Sequence, residues 1–467
     1  MNDYDKNLDK NKANYVPLTP ISFIERTKDI YPNYEAVVYK KRSYTWKQVY
    51  ERSIKFASAL EKHGIKPGDT VSVMAANTPE LFEAHYSVPM TGAVLNAINT
   101  RLDAKTVGYI LKHADAKALI VDRQFHGVVK KALESFGKKI LIIDIDDKQA
   151  DLRDSKKIGE FEYESFLEQG DSGYEWKRPK DEWQAISLNY TSGTTGKPKG
   201  ALHCEREQLV RINWLLNEYP FKVGEIVGQR SNIGFIPSVW ELLGGLLGGV
   251  KTVIIPDEII KDPEALGDLV LECSISRLSF VPYLLKTVLS SRKENIQKFS
   301  ALKWISIAGA PLPIDLYLEL REVVPRAIIL NEYGTTEANG ITFFDTSRLV
   351  RGQTKTVPIG KAIPGVELYI FDDDMALVSE GGVGRLYVSK RSTCQQYASL
   401  EELNKRAFCK NPGDLDGPEL FSTGDVVRLV AKDCIEYLGR TDNQLKVKGV
   451  RVEPEQLESV LLEHKEV

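Results

Sequence analysis

The sequence predicts an α/β protein: two doubly wound α/β subdomains followed by a β-rich subdomain. Between residues 70 and 145, short apolar runs alternate with amphipathic stretches of helical period, punctuated by Gly, Pro, Asn and Asp. Strands alternating with helices require crossover connections, which give a parallel sheet covered on both faces. The alternation resumes from Glu205 to Glu337. Beyond it, Val357–Gly360 through Gly365 and Gly384-Arg385-Leu386-Tyr387-Val388 read as the β-rich part.

In chain order, residues 1–13 read as a disordered polar tail. A helix is expected near Ser22–Ile30, with Thr19 or Ser22 as N-cap. Ala36–Tyr39 and Arg42–Thr45 suit a hairpin, and Trp46–His63 is amphipathic and helical. Thr70–Met74, Ala93–Ile98, Ala118–Val121 and Ile140–Ile145 read as strands. The intervening helices open at Asn77-Thr78-Pro79-Glu80 and span Asp103–Ala114 and Gly127–Phe136. Asp147–Trp183 is charged and reads as a surface excursion. Helices are expected at Glu205–Leu216, Pro263–Ile275 and Pro282–Leu289, with Leu278–Val281 a strand between the last two.

With 467 residues, 42% of them hydrophobic, the chain can bury several cores, and two to four domains or subdomains fit its length. A net charge of -3 gives no reason to expect nucleic acid as a partner. The five cysteines (Cys204, Cys273, Cys394, Cys409, Cys434) are scattered without CxxC spacing, which argues against a disulfide framework or zinc site. The apolar run around Val239–Ile255 is broken by Glu241 and Lys251, so stable membrane insertion is not expected. The first fifteen residues are polar and of mixed charge, unlike a signal peptide, and His464-Lys465-Glu466-Val467 is no peroxisomal or retention signal. A cytoplasmic protein is the expectation.

The chemistry concentrates in Tyr190-Thr191-Ser192-Gly193-Thr194-Thr195-Gly196-Lys197-Pro198-Lys199-Gly200. A short strand, Ala185–Asn189, leads into it. Glycines let successive N–H groups turn inward into an anion-binding concavity, hydroxyls add donors, and lysine adds a mobile cation. That set suits a polyphosphate. It is not a Walker A loop, because no Lys-Ser or Lys-Thr pair follows a suitably spaced glycine.

This string resembles the phosphate-binding signature of the adenylate-forming superfamily: acyl-CoA synthetases, peptide-synthetase adenylation domains and beetle luciferases. The resemblance covers nearly the whole chain. It implies ATP and Mg²⁺ as cofactors, a small carboxylic acid substrate, and a thiol acceptor, either coenzyme A or carrier-protein phosphopantetheine. It assigns Thr191, Ser192, Gly193, Thr194, Thr195, Gly196 and Lys199 to the phosphates. Gly309, Ala310 and Pro311 lie against adenine in such proteins, because small residues let a flat ring approach the backbone. Asn331-Glu332-Tyr333-Gly334-Thr335-Thr336-Glu337 matches the strand-turn motif that completes the nucleotide site. There Tyr333 would stack on adenine, Thr336 contact the α-phosphate and Glu337 hold Mg²⁺.

Phe421-Ser422-Thr423-Gly424-Asp425 implies Asp425 as acceptor of both ribose hydroxyls. In Leu438–Gly449, Arg440 would assist at ribose or phosphate, Asp442 would be the hinge, and Lys446 would serve the second half-reaction. The acid pocket is expected at Phe235, Ile236, Trp240 and Gly334. Peptide-synthetase relatives carry Asp where Ile236 stands, so an apolar acid is expected over an α-amino acid. Arg385 stands where the family has Glu, and Gln396 where it has Gly. His203 reads as packed or solvent-facing rather than catalytic.

The resemblance divides the chain into an AMP-binding part over 14–438, with subdomains at about 14–190, 191–345 and 346–438, and a hinge with the start of a small mobile α+β domain over 439–467. Family members continue further, so a C-terminally truncated form is expected. The implied function is an acyl-CoA ligase of the kind used in fatty acid metabolism. Carrier-protein loading and a non-catalytic nucleotide- or acyl-binding remnant are the alternatives, with an oxygenase remote. A homodimer is an open assembly state.

Overall fold

The computed structural model describes residues 10–11, 14–150, 155–192, 197–232, 237–350, 352, 354–392, 396–442, 445–447 and 450–452. Helix α1 (Pro20–Ile30) is capped by Thr19, whose hydroxyl accepts from the Ile21 N–H, with Pro20 at its first position. The hairpin β1 (Glu35–Tyr39) and β2 (Arg42–Thr45) leads into α2 (Trp46–Lys62). Thr45 and Gln48 close a capping box there. Then follow β3 (Thr70–Met74), α3 (Pro79–Met90), β4 (Val94–Ala97), α4 (Ala104–His113), β5 (Ala118–Asp122), α5 (His126–Phe136) and β6 (Leu141–Ile145). Thr78 and Asp103 cap α3 and α4.

The excursion after β6 is not wholly superficial. It contributes β7 (Phe161–Glu162) and α6 (Tyr163–Leu167), and Tyr163 and Phe166 are buried against Phe56 of α2. The chain continues through β8 (Ala185–Thr191), β9 (Lys199–Cys204), α7 (Glu205–Glu218), β10 (Ile226–Gln229), α8 (Pro237–Leu243), β11 (Lys251–Ile254), α9 (Asp257–Ile260), α10 (Pro263–Glu272), β12 (Arg277–Phe280), α11 (Pro282–Leu289) and α12 (Lys293–Lys298). Next come β13 (Trp304–Ala308), α13 (Ile314–Val323), β14 (Ile328–Thr335), β15 (Asn339–Asp345) and β16 (Lys361–Ala362). The β-rich part holds β17 (Leu368–Phe371), β18 (Val383–Ser389), β19 (Gln396–Tyr397), α14 (Glu401–Ala407), β20 (Phe408–Cys409), β21 (Leu420–Ala431) and β22 (Cys434–Arg440). A last hairpin pairs β23 (Leu445–Val447) with β24 (Val450–Val452).

The eight-stranded sheet runs β19-β9-β8-β4-β3-β5-β6-β7, and the nine-stranded sheet runs β16-β15-β14-β13-β12-β10-β11-β1-β2. Their central strands are parallel. Helices cover both faces: α4 and α5 bury Ile110, Leu111, Val129 and Phe136 against one side of the first sheet, and α2, α3 and α6 cover the other. Each fully buried aliphatic side chain contributes about 1.5–3 kcal/mol by leaving water. The third sheet, β17-β18-β21-β20 with β22 on β21, is antiparallel. Sheet membership crosses chain order. The N-terminal β1–β2 hairpin joins the nine-stranded sheet through β11, and β19 returns to pair with β9. Among the described residues, no helix is long and apolar enough to cross a membrane, and Cys204, Cys273, Cys409 and Cys434 are free thiols.

Candidate active site

Ligands of open α/β sheets bind beyond the carboxyl ends of parallel strands. In the nine-stranded sheet those ends belong to β13 and β14. Gly309 turns the chain out of β13 at φ +91°, a conformation only glycine adopts readily, and Ala310 and Pro311 follow. Facing them across a cleft stand Asn331, Glu332, Tyr333 and Gly334 of β14, with Tyr437 of β22 closing one side. The two segments expected to flank a purine therefore share one cleft. Asn331 is a brace: its Nδ2 donates to the carbonyls of Val357 (3.0 Å) and Pro358 (2.9 Å).

The third sheet supplies the opposite wall. The Tyr333 hydroxyl donates to Asp425 Oδ2, and Arg440 Nη1 donates to Asp425 Oδ1 at 2.7 Å. Arg440 also grips Asp442, Nε to Oδ1 at 2.6 Å and Nη2 to Oδ2 at 2.8 Å. Burial and the Asp425 carboxylate push the Tyr333 phenol well above its ordinary range, so it remains a donor. Burial disfavours the Arg440 charge, but its carboxylate partners outweigh this and hold it protonated.

The glycine- and hydroxyl-rich string is the tip of a hairpin, with Thr191 of β8 opposite Lys199 of β9. Thr191 is buried and Ser192 half-buried. Gly193, Thr194, Thr195 and Gly196 lie outside the described residues, as do Phe235 and Ile236. A strand rather than a helix follows the string, in keeping with the exclusion of a Walker A loop. Lys199 Nζ lies 5.7 Å from the Tyr397 ring centroid, and the Tyr397 hydroxyl donates to Glu337 Oε1 at 2.7 Å. Glu337 is 1% exposed. Thr335 caps the turn after β14 by accepting from the Ala338 N–H, and Thr336 is half-buried between them. Among the described residues no cluster of three or more His, Cys, Asp or Glu is placed to hold a metal. A single buried carboxylate suits Mg²⁺, which takes one or two protein oxygens and fills its shell with phosphate and water.

Trp240 is buried against Trp304, ring centroids 4.6 Å apart. Gly334 lines the cleft. Lys446 lies on β23 with Arg451 as its register partner. Arg385 forms an exposed ion pair with Asp373 and stands at a register shift in the β18–β21 pair, while Gln396-Tyr397 pairs in register with β9. His203 is packed: its Nδ1 lies 2.7 Å from Glu207 Oε2 and both are buried. Sequence reasoning missed Tyr397, which meets Glu337 only through a long-range strand pairing. It also missed Arg211, which the helical period of α7 gives no reason to single out.

Glu205 opens α7 with its carboxylate buried, accepting only from the Thr19 hydroxyl at 2.8 Å among the described residues. Burial raises its pKa from 4.5 to about 7, with the Thr19 hydrogen bond opposing. The proton is thus held more tightly in the folded state, so its stabilisation is present below pH 4.5 and lost as pH rises through about 7. The loss amounts to about 3 kcal/mol for a shift of that size. Glu205→Gln should therefore raise the apparent Tm at pH 8, with the gain fading toward pH 4.5. A pH-independent difference between the two proteins would contradict this assignment.

The AMP-binding enzyme family model matches residues 24–398. An acetate–CoA ligase of Humulus lupulus is 46% identical over 226 residues, spanning 45% of this chain and 40% of the ligase. A peroxisomal trans-cinnamate:CoA ligase of Petunia hybrida is 29% identical over 98% of this chain and 83% of its own length. Among solved structures, an artificially fused adenylation–PCP di-domain from Klebsiella oxytoca superposes with TM-score 0.80 at 19% identity, covering 97% of this chain and 84% of that one. That likeness concerns the fold.

Proposed function

Because this chain belongs to the AMP-binding enzyme family, we propose that it activates a small carboxylic acid as an acyl-adenylate, releasing pyrophosphate, and transfers the acyl group to coenzyme A. The observation that carries this reading is convergence. Tyr333, Asp425 and Arg440 form one cluster, and Tyr333 lines the cleft edged by Gly309–Pro311; Lys199, Tyr397 and Glu337 form another, with Glu337 three residues beyond Gly334 of that cleft. On this reading a purine lies between that small-residue turn and Tyr333. Each Asp425 oxygen already accepts one internal donor, and a carboxylate keeps further lone pairs for two ribose hydroxyls.

Thr335 and Thr336 offer hydroxyls to the α-phosphate, and Lys199 offers charge against the developing negative oxygens. Tyr397 fixes Glu337, which would hold Mg²⁺. When bound, the metal neutralises phosphate oxygens that would otherwise repel the incoming carboxylate. No general base is required, since a carboxylic acid is already ionised at neutral pH. The bidentate Arg440–Asp442 pair would serve as the pivot for a rearrangement between half-reactions, bringing Lys446 forward for thiol attack.

The CoA-ligase relatives support coenzyme A as acceptor. Loading of a carrier-protein thiol is the second reading, favoured by likeness to an adenylation–PCP fusion. Acid-dependent ATP–pyrophosphate exchange with pooled short, medium, aromatic and amino acids tests the first half-reaction. Exchange is expected with at least one non-amino pool, and its absence from all pools would refute adenylation. Thioester appearing with coenzyme A but not with phosphopantetheinylated carrier decides the acceptor.

A further inference from the structure

Helix α7 and strand β14 bring two opposite charges into the same buried region without letting them pair. Arg211 of α7 is 6% exposed and Glu332 of β14 is 7% exposed, and among the described residues neither Arg211 Nε nor Glu332 Oε1 has a hydrogen-bond partner. Among the described residues the two form no ion pair. They nevertheless feel each other. Burial lowers Arg211 to about 10 against the pull of Glu332, and burial raises Glu332 against the Ser306 hydroxyl and then the pull of Arg211.

Glu332 stands in the cleft wall and Arg211 packs behind it. Glu332 lines the cleft directly. Arg211 packs on Gly340, where a Cβ would overlap its guanidinium, and Gly340 is the register partner of Gly334 in the cleft. Trp240 Nε1 is buried nearby and also unpartnered among the described residues. Glu241 of α8 shows the contrast. It accepts from the Ser231 N–H at 2.9 Å, the Arg230 N–H at 3.1 Å, the Ser231 hydroxyl at 2.8 Å and the Ser279 hydroxyl. Glu332 Oε1 has no such set of donors among the described residues, and a buried polar group without a partner is costly.

We propose that Arg211 and Glu332 select the substituent of the acid substrate, and that this substituent is a neutral group that both accepts and donates: an alcohol hydroxyl or a primary carboxamide. The proposal rests on the adenylation reading above. A hydroxyl oxygen accepts from the guanidinium while its proton goes to the carboxylate, and a carboxamide does the same with its two ends. An alkyl chain leaves both charges unpaired. A second carboxylate confronts Glu332, and an ammonium confronts Arg211. The described wall is thus polar, unlike the apolar acid suggested by Ile236.

The test is ATP–pyrophosphate exchange with two size-matched series: pentanoate, 4-hydroxybutyrate, succinamate, succinate and 4-aminobutyrate; and 3-methyl-, 3-hydroxy-, 3-carbamoyl-, 3-carboxy- and 3-aminobenzoate. In one series the hydroxy or amide member should exceed the methyl isostere at least about 100-fold in kcat/KM, as expected where a site pairs its buried polar groups with the substrate. Arg211→Met should collapse that ratio and newly admit the amine. Glu332→Gln should newly admit the dicarboxylic member. These gains cannot arise from misfolding. Methyl isosteres that react as well as hydroxy acids, or ratios unmoved by either variant, would overturn the proposal while leaving adenylation standing. Exchange with no acid at all would remove adenylation itself, and the proposal with it.

Discussion

Glu337→Gln is expected to lower acid-dependent ATP–pyrophosphate exchange by about 10²–10³-fold, the usual cost of removing one preorganised electrostatic group from a transition state. Glutamine keeps the acceptor oxygen that takes the Tyr397 hydroxyl, so the fold should survive. What it loses is the negative charge, which a hard divalent cation requires. The variant should therefore still bind a non-hydrolysable ATP analogue without metal, while its dependence on Mg²⁺ concentration shifts upward. Exchange within ten-fold of the parent at ordinary Mg²⁺ would remove Glu337 from the metal role. Unchanged thermal stability in the same preparation separates a lost charge from a lost fold.

Gly334→Ala should have the largest structural effect of any single methyl addition in the cleft. A Cβ there overlaps the Asn339 carbonyl and the Gly340 Cα, both backbone atoms of the paired strand β15. Backbone cannot rotate aside as a side chain can. Relief requires the β14–β15 pair to part at its bulge, at a cost of about 1–3 kcal/mol or more. The displaced residues are those flanking Glu332 and Tyr333, so exchange should fall by more than ten-fold along with the melting temperature. Gly127→Ala is the matched control: it lies in α5 with open space where its Cβ would go, and should leave stability equal or slightly raised. Equal effects from the two substitutions would mean that the β14–β15 contact is not the constraint.

The elements of this fold were legible wherever their cause is local. Thr19, Thr78 and Asp103 cap helices by bonding N–H groups two or three residues on, so they announce those helices in the sequence. The strand-turn run ending at Glu337 and the strand leading into Thr191 were likewise readable from small and hydroxyl residues at fixed spacing, whereas the returning strand β9 was not. What could not be read depends on contacts between distant segments. Nothing near Val37 says that it pairs with Thr252, and nothing near Tyr163 says that it stacks on Phe56. The same holds for the site. Tyr397 reaches Glu337 because β19 adds to β9, and Arg211 looks like any solvated helical arginine until Gly340 makes room for it. Motifs disclosed the backbone of the site; the side chains that distinguish this chain came from packing.

The pairing of β1 with β11 also has a consequence for biosynthesis. Val37 leaves the ribosome well before its partner Thr252, a separation of 252 − 37 = 215 residues. At roughly 5–20 residues per second, the nascent hairpin waits about 10–40 s with one backbone edge uncovered. An exposed strand edge recruits other strands, so this interval is when the chain is open to mispairing or to a chaperone. Helix α2 follows the hairpin immediately and buries Trp46 and Val49 in the same cluster as Val37 and Tyr39, which shelters its face, though not its edge, until synthesis reaches the closing strand.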